Sequence, residues 1–224
     1  RLPAALHGLA AAGLLGASVT IPHKAAAAAA SDTLTPIAAR IGAVNCVRFA
    51  DGRVAGDNTD VGGFVDAVRA ELPRLGELAG RRAVLLGAGG AARAVAAGLA
   101  DAGVDVTVVA RDPGRVAWIA AAPWSSLPST LASCELLVDC TSVGLDAASD
   151  DAAWATAPVP IEQLGAAAAV ATLVYHREPR LLAAARARGL ATMDGRGMLA
   201  HQGARAFTSW TGVAAPVAIM RAAI

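Results

Sequence analysis

The chain has 224 residues, which suits two small domains or one large one. Its formal charge is +1 and its 19 basic residues are scattered, so a nucleic-acid-binding face is not expected. Three cysteines, at 46, 134 and 140, lack metal-ligand spacing, which argues against a disulfide framework or a bound metal and for a reducing cytoplasm.

Residues 1–22 carry no formal charge after Arg1 and imitate a signal peptide or membrane span. They are built of Ala and Gly more than Leu and Ile, and contain His7, Ser18 and Thr20, so the expected structure is a soluble helix over 3–13 and a buried strand at "ASVTI". That strand runs into "PHK", a proline-stiffened exit that presents Lys24. "AAAAAASDTLTPIAARIG" reads as helical in parts and broken around Pro36, and "AVNCVRFADGRVAGDNTD" as two strands joined at Asp51-Gly52. A helix is expected at "VGGFVDAVRAEL".

From residue 81 the pattern becomes strand, glycine turn, alanine-rich helix, strand, which is one βαβ unit. "CELLVDCTS" and "AAAAVATLVY" read as further buried strands, "PRLLAAARARG" as a helix before "LATMDG", and "MLAHQGARAFTSWTG" as a closing helix. Strands alternating with helices predict an α/β protein with a doubly wound parallel sheet of the Rossmann type. Residues 115–125 leave little room for the helix and third strand of a complete nucleotide-binding half, which are expected to be reduced or absent.

The turn "GAGGAA", Gly87 to Ala92, fits G-x-G-x-x-G/A directly after a strand and before a helix. Gly87 permits a tight turn, Gly89 lets a pyrophosphate approach the backbone, and Ala92 allows close helix–strand packing. The free N–H groups at the helix start then hold the phosphates of a dinucleotide. At the end of the next strand, Ala110 is followed by Arg111, with Arg115 one turn on, where an NAD-preferring fold normally places an acid. Two guanidiniums there favour the 2′-phosphate of NADP. Asp112 lies between them and could take a 2′-hydroxyl, so NADP leads and NAD stays open.

In this order, "SVTIPHK", "IGAVNCV", "GDNTDVGGF", "LLGAGGAARA", "CTSVGL", "LVYHREPRLL" and "DGRGMLAHQGARAFTSWTG" resemble the shikimate dehydrogenase family from about residue 10 to 212. The resemblance implies NADPH-dependent reduction of 3-dehydroshikimate to shikimate by two α/β domains. Residues 1–62 with 199–224 would bind substrate, and 63–198 would form the Rossmann domain. It implies Lys24 as the catalytic lysine with Asp60 as its carboxylate partner, and Thr20, Asn45, Tyr175 and Gln202 as substrate contacts. Gly87, Ala88, Gly89, Gly90 and Ala91, with Arg111 and Arg115, would hold the adenine half of the cofactor. Leu173 and Gly195 would lie beside the nicotinamide. The resemblance also implies a chain that starts after the family's serine-x-serine segment, has Ala110-Arg111-Asp112 for Asn-Arg-Thr, and has Pro36 where an acidic residue is frequent. The implied setting is cytoplasmic, with a small-molecule substrate, no membrane, and a homodimer admitted. Quinate in place of shikimate, or a non-catalytic sensor of the same ligands, is the rival reading.

The residues can bear that chemistry. Hydride reduction of a ketone leaves negative charge on oxygen, so a proton donor within hydrogen-bond reach is needed, and an ammonium can serve. An amide such as Asn45 can both donate to and accept from a vicinal diol. Without the resemblance, Lys24 reads equally well as a solvated helix-entry lysine and Asp60 as a helix cap. His23, His176 and His201 are expected to be bystanders, and Cys140 inert core.

Overall fold

The computed structural model describes all 224 residues, which divide into two compact units, Arg1–Gly63 with Ala200–Ile224, and Phe64–Leu199. The first unit opens with helix α1 (Leu2–Ala11) and strand β1 (Gly16–Ser18). The strand stops three residues short of the expected "ASVTI". It is the edge of its sheet, half-buried at best, and Ile21 beyond it is 72% exposed. Residues 20–23 instead form a turn closed by the His23 N–H on the Thr20 carbonyl, with the Ile21–Pro22 bond cis.

Helix α2 (Lys24–Ala30), strand β2 (Thr33–Leu34) and helix α3 (Pro36–Ile41) follow. Pro36 therefore begins a helix where a break is expected from the sequence. Its missing N–H is one that a first helical residue leaves unpaired anyway. Thr35 is the cap, accepting from Ala38 N, and Gly42 ends the helix at φ 65°.

Strands β3 (Cys46–Ala50) and β4 (Arg53–Asp57) form the expected hairpin. Asp51 and Gly52 both take positive φ, 53° and 70°, which matches the right-handed twist of the flanking strands. The sheet runs β1-β3-β4-β2, antiparallel except where β2 joins β4. Leu6, Ala27, Ala38, Val44, Val47, Phe49 and Val54 make its core. Helix α4 (Thr59–Glu71) leads into the second unit.

There β5 (Arg82–Leu86), α5 (Gly90–Asp101) and β6 (Asp105–Ala110) make the first βαβ unit. Then come β7 (Ala121–Pro123), α6 (Leu127–Leu131), β8 (Leu136–Asp139), α7 (Ala147–Thr156), β9 (Ala169–Thr172), α8 (Arg180–Ala187) and β10 (Ala191–Met193). All six strands are parallel, in the order β10-β9-β8-β5-β6-β7. This is a doubly wound sheet whose order reverses between β5 and β8, and ligands bind at the carboxyl ends of the strands there. The third strand is present but three residues long, and a 3-10 turn at Pro113–Arg115 stands where a crossover helix would. One core cluster includes Phe64, Leu85, Leu99, Val108 and Leu136; the other includes Leu86, Leu127, Leu137, Val170 and Leu182. Central strands β5, β8 and β9 read as continuous apolar runs because both faces are covered.

Helix α9 (Gly195–Thr211) starts three residues before the expected closing helix, and α10 (Val217–Ala222) ends the chain. No helix is long and apolar enough to cross a membrane.

Candidate active site

In the first unit, Lys24 is the first residue of α2 and Asp60 the second of α4. The Lys24 ammonium donates to Asp60 Oδ2 at 2.7 Å, their side chains 28% and 11% exposed. The α2 entry is held in place because the Lys24 carbonyl accepts from Val44 N, one residue before Asn45. Asn45 is buried, and its amide donates to Asp60 Oδ1 at 2.9 Å, to Thr59 Oγ1 at 3.0 Å and to Gln202 Oε1 at 3.2 Å. Its Oδ1 accepts from Thr59 N at 2.7 Å.

A close approach and a helix start make this cluster. Gly63 lies so close to α9 that a Cβ there would be 2.6 Å from Gln202 N, which brings the Gln202 amide to Asn45. Asp60 sits in the first turn of α4, where the free N–H groups favour a carboxylate. The result is one half-buried cation, one carboxylate and two amides in a hydrogen-bonded chain that can both donate to and accept from a polyhydroxylated ligand. Thr20 is exposed in its turn, and its side chain joins none of these bonds. Thr59 joins the network without a sequence signal of its own, as one more polar residue of "GDNTD".

In the second unit the glycine turn joins β5 to α5. Gly87 takes φ 91°, a conformation that favours glycine, and a Cβ there would also stand a tight 3.1 Å from Thr141 Cγ2. Nothing lies within 4 Å of a Cβ built at Gly89 or Gly90. Gly89 caps the twelve-residue α5, and its open side offers the first N–H groups of that helix to an anion. Ala88 is partly buried and Ala91 exposed in the first turn.

Arg111 follows β6 and lines a cavity of about 420 Å³ with Gly87, Asp139, Thr141, Trp124 and Trp154. Arg115 reaches back to Asp112 at 3.6 Å, with side chains 87% and 63% exposed, so water weakens the pair and leaves both groups available. Asp139, at the end of β8, accepts from Thr141 N at 2.9 Å. Burial, with the Asp150 carboxylate adding to it, pushes Asp139 up to about 6.

Leu173 and Gly195 are brought together, since a Cβ at Gly195 would be 2.2 Å from the Leu173 carbonyl oxygen and Gly195 N donates to the Val174 carbonyl. Tyr175 is 50% exposed and meets the His176 ring edge-on at 5.6 Å. His176 itself is occupied by the Leu145 carbonyl. All three cysteines are free and buried, and burial raises Cys46 to about 11 and Cys134 to about 12, which leaves these thiols unreactive.

Residues 1–47 match the model of a shikimate dehydrogenase substrate binding domain, and residues 195–224 that of a shikimate 5′-dehydrogenase C-terminal domain. The shikimate dehydrogenase (NADP(+)) of Gluconobacter oxydans is 46% identical over 217 residues, covering 93% of this chain and 75% of the relative. Shikimate 5-dehydrogenase of Thermus thermophilus, solved in complex with NADP(H) and shikimate, superposes with a TM-score of 0.84 at 39% identity, covering 99% of this chain and 82% of that one. The quinate dehydrogenase of Corynebacterium glutamicum, solved with NAD, also gives a TM-score of 0.84, at 29% identity over 99% of this chain and 81% of its own.

Proposed function

The chain belongs to the shikimate dehydrogenase family, and from that premise we propose that it is an NADP-dependent oxidoreductase interconverting 3-dehydroshikimate and shikimate, a step toward chorismate and the aromatic amino acids. The observation that carries the reading is the Lys24–Asp60 pair at 2.7 Å, joined to Asn45 and Gln202.

The glycine turn fits a dinucleotide, given the open space at Gly89 and Gly90 at the start of a long helix. On this reading Gly87 to Ala91 hold the pyrophosphate, Arg111 and Arg115 the 2′-phosphate, and Leu173 and Gly195 line the nicotinamide end. The cofactor, when bound, supplies the hydride. The chain's own residues do the rest. The Lys24 ammonium gives a proton to the substrate oxygen as negative charge develops there, and regains it in the reverse direction. Asp60 keeps the ammonium oriented and compensates its charge. Asn45 and Gln202 take the substrate hydroxyls, with Thr20 and Tyr175 as further contacts. We also place the protein in the cytoplasm, with a homodimer as the assembly to be tested.

A second reading, quinate oxidation with NAD, is favoured by Asp112, whose carboxylate stands beside Arg115 and could accept from a ribose 2′-hydroxyl. A spectrophotometric assay of shikimate and quinate, each against NADP and NAD, separates the two. The proposed reading expects turnover of shikimate with NADP well above the other three pairs. Quinate with NAD as the best pair would replace it, and no turnover in any pair would leave a ligand-binding protein.

A further inference from the structure

The segment from Arg111 to Ala120, between β6 and β7, holds one 3-10 turn where a crossover helix would lie. It also carries Trp118, packed against the core cluster beneath the sheet. The indole Nε1–H donates to the Ala88 carbonyl at 3.1 Å, inside the glycine turn. The guanidinium of Arg93, in the first turns of α5, lies over the face of the indole at 5.6 Å.

The Ala88–Gly89 peptide is trans and planar, so its carbonyl and the Gly89 N–H point in opposite directions. Ala88 stands between two glycines, which restrict the backbone least; the Gly87 N–H is held by the Val109 carbonyl and the Gly89 carbonyl accepts from Arg93 N, so the Ala88 carbonyl between them is the group that Trp118 fixes. Fixing the Ala88 oxygen on Trp118 fixes the Gly89 N–H on the side away from the indole.

Resting on the dinucleotide reading above, we infer that Trp118 is a positioning residue for cofactor binding: its indole N–H locks the Ala88–Gly89 peptide so that the Gly89 N–H is presented to the pyrophosphate. The shortened crossover thus has a role, since it delivers the indole to the turn that a helix would otherwise overlie. An unclamped turn would sample orientations that turn the N–H away, and the ligand would bind only the fraction correctly set.

The test is Trp118→Phe, which keeps an aromatic ring under Arg93 but removes the donor together with part of the indole's packing surface. Titration calorimetry should show the Kd for NADPH raised on the order of fivefold, as for one neutral hydrogen bond. The Kd for adenosine 2′-monophosphate, which carries no pyrophosphate, should not move. Nor should kcat at saturating NADPH or the KM for 3-dehydroshikimate. An unchanged NADPH Kd in the variant, with normal binding by the wild type, would overturn the inference alone. Equal weakening toward both ligands together with a lower Tm would also overturn it, making the indole a packing residue. Wild-type protein that binds neither NADPH nor NADH would remove the dinucleotide reading and the inference together.

Discussion

Lys24 is a cation at the first residue of a helix, where exposed N–H groups and the helix dipole disfavour positive charge. Asp60 at 2.7 Å offsets that cost and fixes the ammonium in one place. A lysine held so, with few conformations to lose, suits proton donation better than packing. Lys24→Ala is expected to lower kcat by about 10²–10⁴-fold while the KM for shikimate changes far less. Lys24→Arg should not rescue it, because a guanidinium keeps its proton. Steady-state kinetics at saturating NADP decides; a raised KM with kcat intact would make Lys24 a binding cation. Asp139 makes the opposite kind of statement. Its buried carboxyl titrates near 6 when folded, against 3.8 for a free aspartate, so the folded state binds the extra proton between those values. The wild type should therefore lose stability as pH rises from about 4 to about 6, and carry the full penalty, up to about 3 kcal/mol, above that range. The groups facing it are Thr141 N–H and the Asp150 carboxylate, the latter paired with Arg177. Asp139→Asn keeps an acceptor for Thr141 and cannot ionise. Thermal melts should place the variant above the wild type at pH 7.5, the gap closing by pH 4; a pH-independent gap would refute the assignment.

Thr35 shows how much a single element depends on its start. Its hydroxyl accepts from Ala38 N at 3.4 Å and donates to Asp57 Oδ1 at 2.6 Å, tying a six-residue helix to the end of β4. Such a short helix is not stable by itself. Thr35→Ala should cost about 1–2 kcal/mol in urea unfolding, and Thr35→Ser should recover most of it; equal losses in both would point to the methyl group instead. The Thr-Pro pair is a start signal by its chemistry, yet Pro36 lies in an alanine-rich stretch whose periodicity is poor, and a break is the reading that pattern favours. Elsewhere the strong elements were legible. The glycine turn is marked by residues that only special backbone needs, and β5, β8 and β9 by apolar runs buried on both faces. The weak ones have no local mark. Helix α7 is an acidic, nearly non-periodic stretch, β7 has three residues, and β1 ends where its hydrogen-bonding partner ends rather than where its apolar residues do. Within the candidate site, Lys24 and Asp60 are visible as motif residues. Thr59 and Trp118 are defined by partners 14 and 30 residues away that only the fold brings near.

At the scale of the whole molecule, the first unit is built from two distant parts of the chain, and an indole is one of the groups that tie them. Trp210, near the end of α9, donates to the Val47 carbonyl in β3 at 2.9 Å and lies across β1 at Gly16. A Cβ at Gly16 would stand 2.2 Å from Trp210 Nε1 and 2.4 Å from the Val47 carbonyl oxygen. The second contact is backbone and cannot swing aside, so Gly16→Ala must shift β1 even if the ring also moves. Overpacking of this kind costs about 1–3 kcal/mol. Trp210→Phe, by contrast, removes the hydrogen bond, worth about 1 kcal/mol, together with part of the ring's packing on β1. Because α9 also carries Gln202 to Asn45, displacing the helix should loosen the amide cluster as well as the sheet. Gly16→Ala is therefore expected to lower the Tm and raise the Kd for shikimate, while the Kd for NADPH, whose proposed residues lie in Phe64–Leu199, stays within about twofold, an effect below about 0.5 kcal/mol. In a Trp210→Ala background the same substitution should cost less, since part of the clash is gone, and a double-mutant cycle would read that coupling directly. Additive losses would show that the Val47 carbonyl alone sets the requirement for glycine, and an equal loss of NADPH affinity would show that the two units do not respond separately.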